Sequence, residues 1–259
     1  MTPEDLFKNR DSEAYEAASV LQKEVGDSLV NRLDWMVLQP ERVLDLGCRI
    51  GRVTEQLISR YPAAEIVAAD TSLSLLILAK KNQKKPVKWL LAESAYLPLP
   101  HQMADLIVSN LWLPWCSHLD NTLSEWHRVM RPDGLLMLSS LGPNTLQELA
   151  HLGLSFPKWM DMHDIGDALI HSGFINPVLD VEYVTLTYRE IATLSQELRV
   201  TGLFAGDVFE ESLAANAESV FPVTFEVIYG HAWRNHLDAV YPPDTAGEVR
   251  IPISQIKRR

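Results

Sequence analysis

The sequence predicts an α/β fold: a doubly wound, seven-stranded, mainly parallel sheet with helices on both faces. Between residues 42 and 140, short apolar runs alternate with segments of helical periodicity, the pattern of strand–helix–strand units. The first run, Val43-Leu44-Asp45-Leu46, passes through the turn Gly47-Cys48-Arg49-Ile50-Gly51 into a helix, which is how such folds open. Two alternating runs, 178–188 and 224–232, follow a helical region and supply the last two strands.

Taken in order, residues 1–40 read as a helical cap, with Val20, Val25, Leu29, Val30 and Leu33 recurring at roughly helical spacing. After the glycine turn, Val53 and Leu57 stand one helical turn apart. Residues 65–70 form the second strand, ending in Asp70. Residues 71–82 form a helix whose terminal lysines, Lys80, Lys81, Lys84 and Lys85, match a helix carboxyl end. Pro86 stops it, and 87–91 is the third strand. Residues 104–109 form the fourth strand and run into the apolar loop Leu111-Trp112-Leu113-Pro114-Trp115. A helix carrying Leu119, Leu123 and Trp126 ends at Arg131-Pro132-Asp133-Gly134, and 135–140 is a fifth, buried strand. Helices are expected over 144–151 and 161–173, the latter capped by Asp161 and stopped by Gly173. Residues 189–222 read as an acidic helical lid within one domain spanning 1–240, and 241–259 as an irregular tail.

Composition narrows the function. A net charge of −11 argues against nucleic-acid partners, which require basic surface. There is no secretory pattern and no apolar run long enough to span a bilayer, so a cytoplasmic protein without membrane contact is expected. Cys48 and Cys116 give neither a disulfide framework nor metal spacing, and the eight histidines form no ligand set, so no metal is expected.

In a doubly wound sheet ligands bind beyond the carboxyl ends of the strands. Asp70 stands there, at a distance from the glycine turn that suits a ribose-containing cofactor, whose hydroxyls a carboxylate can accept. Glu93 and Ser94 follow the third strand, and Ser109-Asn110 end the fourth, at the same edge. The two tryptophans of the 111–115 loop either pack under a lid or wall a pocket. Tyr15 is either core or a group that closes over a ligand.

Together, Asp45-Leu46-Gly47-Cys48, Asp70, Asp105-Leu106-Ile107-Val108-Ser109-Asn110 and Arg131-Pro132-Asp133-Gly134 resemble the successive motifs of class I S-adenosylmethionine (SAM) methyltransferases. A narrower resemblance runs nearly end to end. Tyr15-Glu16, Val20-Leu21-Gln22-Lys23-Glu24-Val25, Gly142-Pro143-Asn144-Thr145-Leu146-Gln147-Glu148-Leu149, Asp180-Val181-Glu182-Tyr183 and Tyr229-Gly230-His231-Ala232-Trp233 are similar to segments of the malonyl-carrier-protein O-methyltransferases of biotin synthesis. The resemblance implies a Rossmann-like methyltransferase fold, SAM as cofactor, and methylation of the free carboxylate of a malonyl thioester, carried by acyl carrier protein (ACP) or coenzyme A. It implies Asp45, Gly47 and Gly51 along the methionine moiety, Asp70 on the ribose, and Glu93 with Ser94 at the adenine. It also implies Asn110 facing the sulfonium, Tyr15 in the lid as a positioning group, and Trp115 and His231 toward substrate. A carboxylate needs no general base, so alignment and exclusion of water suffice.

Two departures define the alternative, a methyltransferase-like binding or assembly factor without transfer activity. Arg49 replaces the middle glycine of the turn, and its side chain either enters the cofactor cleft or pairs with the SAM carboxylate. Residues 189–222, rich in Glu197, Asp207, Glu210, Glu211 and Glu218, are poorly suited to steering in an acidic carrier.

Overall fold

The computed structural model describes residues 11–150, 156–203 and 220–236. The chain enters through helices α1 (Ser12–Ala18) and α2 (Val20–Asn31) and a short 3-10 turn (Arg32–Trp35). Strands and helices then alternate: β1 (Arg42–Leu46), α3 (Arg52–Arg60), β2 (Glu65–Asp70), α4 (Leu73–Asn82), β3 (Lys88–Leu91), β4 (Ala104–Ser109), α5 (Leu119–Val129) and β5 (Met130–Leu141). There follow a one-turn α6 (Gln147–Ala150), α7 (Met162–His171), β6 (Phe174–Tyr188), α8 (Ile191–Thr201) and β7 (Phe221–Arg234).

All seven strands join one sheet in the order β3-β2-β1-β4-β5-β7-β6. The first five are mutually parallel, and β7 inserts antiparallel between β5 and β6. The expected pairing of the last two strands holds, and β7 also closes onto β5 through Leu135↔Trp233 to Leu141↔Val227. The central strands are covered on both faces, which is why they read as continuous apolar runs. Tyr15, Leu21, Val25, Leu29, Val53 and Leu57 pack on one face; Trp126, Ile165 and Leu169 pack on the other.

Boundaries differ from the sequence reading in places. Val20, counted in the apolar stripe, is 43% exposed at the start of α2. Strand β5 begins at Met130, so the helix stop signal lies inside the strand's irregular start, where Asp133 takes φ 61°. Of the expected 144–151 helix, Gln147–Ala150 is helical among the described residues, and 151 lies outside them. Of the 189–222 segment, α8 ends at left-handed Gly202 (φ 79°) and packs through Leu194 and Leu198 into the core. Residues 204–219, with Asp207, Glu210, Glu211 and Glu218, lie outside the described residues, as do residues 1–10 and the 241–259 tail.

Candidate active site at the carboxyl edge of the sheet

The site is built where β1, β2 and β4 end. Asp45, next to last in β1, is 1% exposed and accepts the Thr54 hydroxyl at 2.5 Å from the first turn of α3. Burial pushes its carboxyl up to about 7; Asp70 adds to the rise, while Thr54 and the Arg49 charge oppose it. The turn beyond β1 needs two left-handed glycines, Gly47 (φ 72°) and Gly51 (φ 80°). A Cβ on Gly47 would stand 2.4 Å from the Trp112 ring, so that ring lies directly against the turn.

Arg49 sits between these glycines at φ 51°, a left-handed conformation that is strained for an arginine. Asp70 holds it there. One Asp70 oxygen accepts the Arg49 main-chain N–H at 2.9 Å, and the other accepts the Ser72 N–H at 2.8 Å. Burial also raises the Asp70 pKa, although these main-chain donors and the Arg49 charge oppose the rise. Arg49 is 6% exposed, and its guanidinium donates to the carbonyls of Asn110 (3.0 Å) and Leu111 (2.6 Å). It stands 5.3 Å from the centre of the Trp115 ring. Neither SAM carboxylate nor bulk solvent is needed to satisfy it: the carboxyl edge of β4 does so.

Asn110 ties the helical cap to this edge. Its amide donates to the Gln22 carbonyl of α2 at 2.8 Å, and its oxygen accepts from Ser139 at 2.8 Å. Ser139 also accepts the Leu111 N–H at 2.9 Å. Helix α2 comes this close because position 26 is glycine, where a Cβ would meet the Asn110 amide and Val53 at 2.9 Å each. Between cap and edge lies a narrow cavity of about 30 Å³. Tyr15, Gln22, Asp45, Gly47, Arg49 and Asn110 line it.

The structure therefore brings Tyr15, Asp45, Gly47 and Asn110 into one cavity, with Gly51 in the same turn and Asp70 one hydrogen bond away through Arg49. Glu93 is exposed beyond β3, one strand outward, joined to Asp70 through the Ala92 N–H on the Asp70 carbonyl (3.1 Å). Ser94 is buried, and its carbonyl accepts the Trp126 indole N–H at 3.2 Å. Trp115 is buried behind Arg49 in the core and does not line the cavity. His231 also does not line it. It lies on β7 opposite Met137, three strands across from Asp45, which is about 14 Å at ~4.8 Å per strand. Burial holds its pKa below the ordinary histidine value, against the pull of Asp180.

Sequence reasoning missed Thr54, Gln22 and Ser139. Thr54 had no visible signal. A glycine inside the α2 pattern, Gly26, did mark a close approach, and Gln22 is one turn before it on the same helix.

The strand order, the left-handed turn after β1 and the carboxylate at the end of β2 define a class I methyltransferase. Residues 44–138 match the family described as a methyltransferase domain. Among solved structures, YcgJ of Bacillus subtilis aligns with TM-score 0.58 at 15% identity, covering 82% of this chain and 98% of that one. Phosphoethanolamine N-methyltransferase 2 of Haemonchus contortus, solved in complex with S-adenosyl-L-methionine, aligns with TM-score 0.58 at 15% identity, covering 91% of this chain and 60% of that one. The malonyl-[acyl-carrier protein] O-methyltransferase of Gallionella capsiferriformans is 37% identical over 255 residues, covering 87% of this chain and 88% of the relative. That of Halorhodospira halophila is 34% identical over 274 residues, covering 96% and 92%. The chain belongs to the malonyl-[acyl-carrier protein] O-methyltransferase family.

Its cofactor is accordingly SAM. The residues present fit that group: buried Asp45 lines the cavity, buried Asp70 anchors the turn beside it, and that left-handed turn leaves main chain along the cavity. Among the described residues there is no metal-ligating cluster and no helix long and apolar enough to cross a membrane.

Proposed function

We propose that this protein methylates the free carboxylate of malonyl-ACP, forming its methyl ester for biotin precursor synthesis in the cytoplasm. The observation that carries the reading is identity of 34–37% to malonyl-[acyl-carrier protein] O-methyltransferases over 87–96% of the chain. Bound SAM supplies a methyl group activated by its sulfonium. The malonyl carboxylate is ionised at neutral pH and serves as nucleophile without a base, so the chain's task is alignment and exclusion of water. In this reading Asp70 holds the ribose hydroxyls, Glu93 and the Ser94 amide meet the adenine edge, and Asp45 and Gly47 flank the amino-acid end. Tyr15 and Gln22 close the cavity from the helical cap, and Asn110, fixed by Ser139, presents its main chain to the reacting centre.

The test is incubation of purified protein with methyl-labelled SAM and malonyl-ACP, malonyl-CoA or acetyl-ACP. Base-labile label is expected on malonyl-ACP, less on malonyl-CoA and none on acetyl-ACP. Label on acetyl-ACP, or none on either malonyl thioester, overturns the reading.

A further inference from the structure

We infer that Arg49 is the carboxylate clamp for the amino-acid end of the cofactor, held in waiting on the carbonyls of Asn110 and Leu111. The inference rests on the reading that SAM is the methyl donor, but not on which acceptor is methylated. An α-amino acid carries a carboxylate and an ammonium on one carbon. Its complement is a cationic fork beside outward-facing carbonyls. Arg49 and Asn110 line the cavity, and Leu111 is the next residue behind it; the guanidinium now donates to the Asn110 and Leu111 carbonyls at 3.0 and 2.6 Å. A bidentate carboxylate is a stronger partner for a guanidinium than two neutral carbonyls. When the carboxylate takes the fork, the Asn110 and Leu111 carbonyls are released to accept from the ammonium. One exchange therefore satisfies all four groups, and nothing buried is left unpaired.

Three features of the surroundings support the clamp. Trp115 backs the guanidinium at 5.3 Å, which limits how far the flat group can stray. Position 49 takes a left-handed backbone that glycine would adopt without strain, yet Asp70 holds an arginine there through its N–H. Among the described residues, the other two cations of the cavity wall are committed elsewhere: Arg52 to Asp27 at 2.8 Å and Lys23 to the Glu16 carbonyl at 2.6 Å. Arg49 is thus the cavity's cation whose present partners are the ones a zwitterion would replace.

Calorimetric titration with two ligands tests this. S-adenosylhomocysteine keeps the amino-acid end, whereas methylthioadenosine keeps the adenosine and thioether but lacks it. In Arg49→Gly the affinity for S-adenosylhomocysteine is expected to fall tenfold or more, that for methylthioadenosine to stay within twofold, and Arg49→Lys to lie between. Tighter S-adenosylhomocysteine binding in Arg49→Gly would show that the side chain blocks the cleft, and equal losses for both ligands would show a structural role; either overturns the clamp. Unchanged S-adenosylhomocysteine affinity with a raised KM for the malonyl thioester would overturn it too, assigning the guanidinium to the acceptor. Should Arg49→Gly fail to fold, Arg49→Lys and Arg49→Gln carry the same comparison. No malonyl thioester enters the titration, so a failure of malonyl methylation leaves its outcome intact.

Discussion

At the amino edge of the sheet, Asp105 accepts the N–H groups of Glu41 (3.0 Å) and Arg42 (2.8 Å) and the Arg131 guanidinium (2.9 Å), with its side chain 19% exposed. At the carboxyl edge, Asp45 lies buried in the cavity wall with Thr54 as its direct partner and a second buried carboxylate nearby. The first carboxylate is satisfied where water can still reach, as a structural group is. The second is held where its charge is costly, and burial pushes it to about 7. Groups kept in that condition mark the part of a protein shaped for a ligand rather than for stability. The same division holds for the arginines: Arg131 bridges Asp105, while Arg49 is strained and buried.

The largest effect that would sharpen this contrast is a gain in stability. The folded-state value of Asp45 lies above the ordinary aspartate value of ~3.9, so its contribution is favourable while it is protonated and is lost as pH rises through about 7. Asparagine stays neutral and can still accept the Thr54 hydroxyl. Asp45→Asn should therefore stabilise the cofactor-free protein by about 2–4 kcal/mol at pH 8, shrinking to about 0.5 kcal/mol at pH 4. Denaturant unfolding at the two pH values measures it, and SAM binding should weaken in the same variant. Equal stability of variant and wild type at pH 8 would mean that Asp45 is ionised without penalty, and the contrast would fail.

Asp70→Ala should cost SAM binding about 1–3 kcal/mol, because the Arg49 turn loses its tether and, on the proposed reading, the ribose loses its acceptor. Calorimetry decides it; unchanged affinity would remove Asp70 from the site. Asp105→Ala should lower stability by about 1–2 kcal/mol, since three donors lose their acceptor at a partly exposed edge, and leave SAM affinity as it was. A loss of SAM binding there would show that the two edges are coupled.

Much of this division was legible in the sequence, for physical reasons that vary by residue. The sheet was readable because buried parallel strands are written as continuous apolar runs, and Asp45, Asp70 and Asn110 were readable because each stands at or beside the end of such a run. The insertion of β7 between β5 and β6 was not, because an alternating run says that a strand forms and not which neighbour it chooses. Arg49 was visible as a departure from the glycine pattern, but its partners were not: they are main-chain carbonyls sixty residues away, which leave no mark on side-chain identity. Ser139 escaped notice because a serine inside an apolar strand looks the same whether or not it bridges Asn110 and Leu111.

His231 gives the smallest expected effect and the sharpest limit on what motif matching places in a site. It belongs to a segment that resembles the family, yet strand register sets it level with Asp45 three strands away, outside the cavity lining. Its charged surroundings are Asp180 on the paired strand β6 and the Arg32–Asp180 ion pair at 2.9 Å, a cluster that holds the sheet to the end of the helical cap. A half-buried histidine in such a place contributes packing, and its removal changes neither the charge nor the shape of the cavity. His231→Ala should therefore leave both SAM affinity and the KM for malonyl-ACP within twofold of wild type. A tenfold rise in that KM with SAM affinity unchanged would mean that the acceptor reaches across β5 to β7. The active site would then extend along the sheet well beyond the cavity at its carboxyl edge.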